Sequence, residues 1–374
     1  MLKKKIIFIN NHFQYSDGTV RALIGLVNNL DLEKFDVTIM PIYRCDRRLE
    51  KELNPEIKLK KAFGFYFKGF SKIARWIPMK WMYKWWINGQ YDIEVAFQYD
   101  VPTLLVCNSQ NPLAVHVAWM HGFACYDCYD KLDEVVCVSK YCADKTIEKM
   151  SGRVDVTYRY NLVDEKPVHE MAREPIDLKF NTKPVFVSVG RHSPEKGYVR
   201  LVKIMSELRN EGFEFHLVLV GDGPQHGEIQ SEIMKNNMQD FITLTGAQNN
   251  PHKYTSRADV FICSSFNEGY STACTESAIL GVPIITTSVP GGEEIINVCE
   301  CGKLTSFADD DLKLAIREVL EQPKLITEWK ETLKRTSGRF GMATRKQAIT
   351  ELFDEFLIMS ETKYKHNHKV FYYE

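Results

Sequence analysis

Nowhere does this chain hold the roughly 20 consecutive apolar residues that a membrane-spanning helix takes. Its opening Met-Leu-Lys-Lys-Lys-Ile-Ile-Phe-Ile-Asn has the charged start of a secretory signal. The apolar run there is only four residues long before Asn10 and Asn11, so a first strand is expected instead. Net charge is also missing: 48 Lys and Arg against 49 Asp and Glu leave −1 at pH 7, which argues against bulk nucleic-acid binding. The ten cysteines lack metal-site spacing. Cys125-x-x-Cys128 has no second pair to complete a zinc site and Cys299-x-Cys301 is too close, so free thiols in a reducing cytosol are expected. Internal repeats of short period and low-complexity tracts are absent as well.

What is present is an ordinary globular composition, 44% hydrophobic and 26% charged, on a chain of 374 residues. That length exceeds one ordinary core and favours two domains. The charge is uneven. Residues 1–90 hold 17 Lys and Arg against 8 Asp and Glu, or +9, which leaves −10 for the remainder. Within that half, residues 58–86 carry eight Lys and Arg, no acid, and ten aromatics, four of the six tryptophans among them. Basic residues beside so many aromatics suit an anionic membrane surface, and the competing reading places the aromatics in the first domain's core.

Along the chain, strands are expected at Ile6–Asn10, 36–41, 91–98, 114–121 and 134–139, with a helix over Thr19–Leu30. Residues 165–183 show no clear periodicity and read as an inter-domain linker. Regular alternation follows: strands at 184–189, 215–220, 241–245 and 258–264, with helices at 194–210, 225–236 and 251–256 between them. This alternation means a doubly wound parallel sheet. An amphipathic helix over 344–360 closes the pattern. The expected domains are 1–170 and 171–343, followed by residues 344–374.

One stretch organises the second half. After the strand at 258–264 come a loop, a helix over Thr272–Leu280, Gly281 as its stop and Pro283 beyond. Ser271 is placed to cap the helix, so the loop delivers a ligand onto free helix amides, a ready anion site. Two carboxylates bracket it, Glu268 in the loop and Glu276 five residues past Ser271, about 7.5 Å along the axis at ~1.5 Å per residue. Carboxylates at that separation can hold the hydroxyls on either side of a diphosphate.

Glu268-Gly-Tyr-Ser-Thr-Ala-Cys-Thr-Glu276 resembles the E-x7-E signature of retaining glycosyltransferases with the GT-B fold, in particular glycosyltransferase family 4. The frame around it, Phe-x-Glu-Gly-x-Ser before and Glu-Ser-Ala-x-x-Gly-x-Pro-Ile-Ile after, carries the same resemblance. It implies two Rossmann-like, doubly wound α/β domains facing a cleft, with a terminal helix crossing back to the first. Gly190-Arg191-His-Ser-Pro-Glu-Lys196-Gly is similar to the family's Gly-Arg-x-x-x-x-Lys-Gly, whose two cations stabilise the departing diphosphate. A lysine in the first turn of the helix expected at 194–210 opposes the helix dipole, which an anion bound there would explain. Val117-Ala-Trp-Met-His121-Gly resembles the strand whose terminal histidine faces the sugar. Gly221-Asp-Gly-Pro and Thr245-Gly246 resemble turns beside the nucleotide, though both glycines serve equally as plain turn residues. At the first turn the family has Gly-Gly-x-x-Arg where this chain has Asp17-Gly18-Thr-Val-Arg21, so only the second glycine is kept.

The resemblance thus implies His121, Arg191, Lys196 and Glu268 as catalytic. Gly18, Gly190, Gly221, Gly246, Glu268, Gly269, Tyr270, Ser271 and Glu276 would contact the donor. The expected activity moves a sugar from a nucleotide-sugar to a glycan or lipid-linked acceptor in cell-surface polysaccharide synthesis. It would take place in the cytoplasm, at the inner face of the membrane if residues 58–86 attach there. No cofactor or metal is expected, and Asp309-Asp-Asp311 reads as a surface turn rather than a ligand set. Two other readings stand beside it: a nucleotide-sugar epimerase or hydrolase of the same fold, and a non-catalytic scaffold subunit of a polysaccharide-assembly complex.

Overall fold

A computed structural model describes residues 2–14, 18–63, 76–122, 127–180 and 182–370. The chain divides into two compact units at Leu162/Val163 and Thr344/Arg345, so its final stretch belongs with its beginning.

The first unit is built on a seven-stranded parallel sheet. Its strands are β1 (Lys4–Phe13), β2 (Phe35–Cys45), β3 (Lys58–Leu59), β4 (Ile93–Ala96), β5 (Val115–Met120), β6 (Glu134–Cys137) and β7 (Asp155–Tyr158). They lie in the order β3-β2-β1-β4-β5-β6-β7. Unbroken apolar runs such as Ile6–Ile9, wholly buried, are what parallel strands covered on both faces require. β1 outruns its expected end at Asn10 because its polar residues find partners. The Asn10 side-chain amide donates to the His12 carbonyl at 2.6 Å, and the Asn11 backbone amide donates to Gln98 Oε1 at 2.7 Å. The first helix, Gly18–Val27, stops short of the expected Leu30. Asn29 donates its side-chain amide to the Gly25 carbonyl at 2.9 Å, satisfying a group that a further turn would have used.

The terminal helix, Met342–Val370, is longer than expected and packs on the first unit. Phe353 sits 6.2 Å from Phe8, 5.9 Å from Phe35 and 6.2 Å from Trp119, ring to ring. Lys363 fastens the far end, donating to the Ala114 carbonyl at 2.7 Å and to Asp133 at 2.6 Å.

The aromatic segment at 58–86 divides between core and surface, and residues 64–75 of it lie outside the described residues. Tyr83 is buried and donates its hydroxyl to Glu94 at 2.6 Å. Burial raises that carboxyl to about 7, so near neutrality much of it is uncharged. Phe63 and Trp86 meet edge to face at 4.5 Å against the core. Trp76, Trp81 and Trp85 are exposed by 88, 60 and 62%. The helix Met79–Trp86 therefore turns Met82 and Tyr83 inward and Lys80, Trp81, Lys84 and Trp85 outward.

The second unit holds a six-stranded parallel sheet: β8 (Val185–Val189), β9 (His216–Val220), β10 (Ile242–Leu244), β11 (Val260–Cys263), β12 (Ile284–Thr287) and β13 (Gly302–Thr305). The order is β10-β9-β8-β11-β12-β13. Leu201, Met205 and Leu208 of the helix Tyr198–Asn210 join Phe186, Leu217, Ile262 and Ile285 from the strands in one core. Strand order reverses between β8 and β11, and open α/β sheets bind ligands in the crevice beyond such a point.

Two expectations are corrected here. Residues 165–183 are not all linker. Glu165–Ala172 is a helix, capped by Asp164 accepting from the Lys166 amide at 3.0 Å, and it is held in the second unit where Asn250 donates to the Met171 carbonyl at 2.8 Å. At eight residues with Val168 alone buried, it is too short to stand out as an apolar pattern. Asp309-Asp-Asp311 is no surface turn either, but the first turn of the helix Asp309–Glu321, where three acids complement the helix dipole.

Candidate active site

The turn that leaves β8 begins with Gly190 and Arg191. Its structure departs from the continuous helix expected over 194–210. Pro194–Lys196 form one 3-10 turn, Gly197 takes φ +69°, and the α-helix starts at Tyr198. Only glycine fits at 197, since a Cβ there would lie 2.4 Å from the Ser264 carbonyl oxygen. Ser193 caps no amide and hydrogen-bonds Glu195 instead. Lys196 therefore precedes the α-helix and does not lie in its first turn. Its ammonium is paired with Glu268, the two side chains being 22 and 14% exposed. Burial works against the charged lysine, but the adjacent Glu268 carboxylate outweighs it and holds the Lys196 pKa above its usual value. Arg191 is exposed, and its guanidinium makes no hydrogen bond or ion pair among the described residues.

Glu268 belongs to the loop leaving β11, the strand beside β8. That loop is fastened to the β8 turn: Ser264 donates to the Lys196 carbonyl at 2.8 Å, and the Phe266 amide to the Glu195 carbonyl at 2.7 Å. Ser265 donates to Glu268 at 2.9 Å. Arg200, buried one turn beyond Lys196, donates to the Ser264 carbonyl at 2.8 Å and stacks 3.9 Å over the Phe266 ring. Ser271 caps the following helix, Thr272–Ile279, by accepting from the Cys274 amide at 3.3 Å, as expected. The amides of Thr272 and Ala273, with no preceding turn to take them, lie at the helix entrance. Tyr270 is buried against Gly291, and Gly269 is partly exposed beside Glu268. Glu276 lies in the helix, 3.8 Å from His252 Nδ1.

Gly190, Gly221 and Gly246 end three adjacent strands and are tied in series. The Gly190 amide donates to the Val220 carbonyl and the Gly221 amide to the Gly246 carbonyl, each at 3.0 Å. The second unit thus brings Gly190, Arg191, Lys196, Gly221, Gly246, Glu268–Ser271 and Glu276 to the C-terminal ends of its strands. Gly18 and His121 belong to the first unit. Gly18 starts a helix, with open space where a side chain would be, and Asp17 lies outside the described residues. His121 follows β5 and lines a cavity of about 150 Å³ with Thr19, Gln98, Tyr99, Trp119 and Tyr129. Its Nε2 is buried without a hydrogen-bond partner among the described residues, and desolvation lowers the ring's pKa to about 3, so it is neutral at pH 7.

Sequence reasoning missed Ser265 and Arg200, which position Glu268 and its loop. Arg200 left a trace, a cation on the helix face that also carries Leu201 and Ile204. His192, Asp222 and His226 were missed as a group, since no local spacing joins the turn after β8 to the turn after β9.

Residues 172–336 match the family model of glycosyl transferases group 1. Among curated proteins, the chain is 26% identical over 354 residues to the lipopolysaccharide core biosynthesis glycosyltransferase LpsD of Rhizobium meliloti, covering 92% of this chain and 96% of LpsD. It is 27% identical over 183 residues to the N-acetylgalactosamine-N,N'-diacetylbacillosaminyl-diphospho-undecaprenol 4-alpha-N-acetylgalactosaminyltransferase of Campylobacter jejuni, covering 48% of each. Among solved structures, Anabaena HepE in complex with UDP superposes with a TM-score of 0.77 at 15% identity, over 94% of this chain and all of that one. That likeness is one of fold, and the two doubly wound domains are those of the GT-B glycosyltransferases. Together these similarities support a group 1 glycosyltransferase.

Proposed function

We propose that this chain is a retaining glycosyltransferase of the family 4 type, which moves a sugar from a nucleotide-sugar to a hydroxyl of a glycan or lipid-linked acceptor. The observation that carries this reading is the meeting of Lys196 with Glu268 at the point where strand order reverses, beside the capped entrance of the helix Thr272–Ile279. A cation, a carboxylate and free helix amides converge there. A diphosphate would rest on the amides, Lys196 and Arg191, a sugar's hydroxyls on Glu268, and a ribose on Glu276. Positive charge aimed at the leaving diphosphate supplies the main electrostatic stabilisation, and no metal is assigned a part in the transfer. The acceptor falls to the first unit, with the cavity beside His121 as its candidate site.

A thermal-stability screen with UDP-, GDP- and ADP-sugars tests the donor assignment, beginning with UDP because HepE was solved with it. Ligand at 100 times its Kd adds about 2.7 kcal/mol, enough to read clearly. One donor class should raise the melting temperature, and NMR of the product should show the donor's anomeric configuration kept. Failure of every nucleotide and nucleotide-sugar to stabilise the protein would overturn the reading. Inversion would overturn its retaining part.

The acceptor reading rests on the relatives. One is named for lipopolysaccharide core synthesis and the other for a diphospho-undecaprenol substrate. The outward face of the helix Met79–Trp86 suits the lipid-linked case, with Lys80, Trp81, Lys84 and Trp85 all exposed. Each basic residue near an anionic leaflet contributes about 1 kcal/mol, screened by salt. The protein is expected to co-sediment with anionic vesicles at low salt, as a peripheral protein of the cytoplasmic face would. Replacing Lys80 and Lys84 with glutamine and Trp81 and Trp85 with serine should release it at unchanged melting temperature. Wild-type protein left in the supernatant would refute membrane attachment.

A further inference from the structure

We infer that His192, Asp222 and His226 form a binding site for a divalent transition-metal ion of the zinc class, separate from the carboxylates and cations assigned to the sugar donor. His192 Nδ1 lies 3.1 Å from His226 Nδ1, and His226 Nδ1 lies 3.4 Å from a carboxylate oxygen of Asp222. All three ligand atoms fall within 4.8 Å of one another. At metal–nitrogen distances of about 2.0–2.1 Å, neighbouring ligands of a tetrahedral ion are about 3.3–3.4 Å apart. Two edges of the triangle are therefore near coordination spacing already. Two imidazoles and one carboxylate make a donor set that zinc and its neighbours favour over magnesium or calcium.

The backbone holds the group together from both sides. The His192 amide donates to the Asp222 carbonyl and its carbonyl accepts from the Gln225 amide, both at 2.9 Å. His192 is wholly buried, with the Tyr198 ring edge-on at 5.3 Å, so its position is set by packing. The two imidazoles now lie within 15° of parallel with their Nδ1 atoms facing each other, and a shared ion requires one of them to turn. His226 is the one able to do so, being one-third exposed at the start of its helix. Asp222 is exposed on the same side, which leaves the fourth position to water. Binding would clamp the turn after β8 to the turn after β9, and Arg191 immediately precedes the buried ligand. The ion's role is thus to fix the turn from which Arg191 projects.

The test is metal binding, which does not depend on any sugar being transferred. Chelator-stripped protein is titrated with Zn²⁺ by calorimetry and with Co²⁺ by absorption, alongside His226→Gln and Asp222→Asn. Because the ten cysteines offer competing ligands, the readout is the site present in wild type and missing from both variants. Expected are visible cobalt bands without sulfur charge transfer, and a loss of affinity of about 10-fold or more in each variant. Both substitutions keep a hydrogen-bonding group where the native one meets His192 or the Gly223 amide, so metal-free melting temperatures should change little. Equal binding by wild type and variants, no binding by wild type, or a cobalt spectrum dominated by thiolate would overturn the proposal. The two histidines would then form a hydrogen-bonded pair and nothing more.

Discussion

Lys196→Ala is expected to lower kcat by roughly 10²–10³-fold while changing donor affinity far less. Its ammonium would meet diphosphate charge that grows as the glycosidic bond breaks, so the interaction is stronger in the transition state than in the bound substrate. The ion pair with Glu268 adds a second consequence. Removing the lysine strands a carboxylate that is only 14% exposed, with Ser265 left as a donor. Breaking a fully buried pair costs about 3–5 kcal/mol, and the residual exposure here reduces that to about 1–3 kcal/mol. Glu268→Gln in the Lys196→Ala background should therefore recover melting temperature without recovering kcat, separating folding from chemistry. Glu276→Ala serves as the contrast, since ribose contacts are alike in ground and transition states and their loss raises donor KM more than it lowers kcat. A Lys196→Ala enzyme within threefold of wild-type kcat would remove the residue from the chemistry.

Gly221→Ala should destabilise the protein by about 2–5 kcal/mol, through backbone strain and a collision that cannot relax. The residue has φ +147°, and a Cβ would stand 1.9 Å from the Gly190 carbonyl oxygen, which is main chain and not a side chain able to swing away. Gly246→Ala is the internal control. It too has a positive φ, +69°, but a Cβ there meets nothing within 4 Å, so only the left-handed backbone cost of about 1–2 kcal/mol remains. Urea denaturation compares the two directly. Equal losses would mean that the close approach of Gly190 to Gly221 is not maintained in solution.

Much of the second unit was legible in the sequence because its signals are local. Parallel strands buried on both faces must be continuous apolar runs, so β8, β9 and β11 could be found within a residue or two. Ser271 as a cap is a property of a few consecutive residues, and the structure shows the hydrogen bond that the position implied. Local pattern misled over 194–210, where one continuous helix was expected. Gly197 breaks it, because the main chain passes too close to Ser264 for a regular helical path.

The sequence by itself determined the alternation of strand and helix, the presence of a terminal helix and the two stretches that carry the candidate chemistry. Only the tertiary structure decided which of those residues meet. Lys196 and Glu268 are 72 positions apart, and they pair because β8 and β11 are neighbours in a sheet whose order reverses between them. Nothing in either segment encodes that adjacency, since strand order is settled by which crossovers pack. The same holds for His192 with Asp222 and His226, joined across β8 and β9. It holds again for the aromatics near residue 80. Tyr83 goes inward to meet a buried Glu94, while Trp81 and Trp85, equally apolar in composition, are left facing water. Burial depends on the partner surface, and that surface exists only once the sheet has formed.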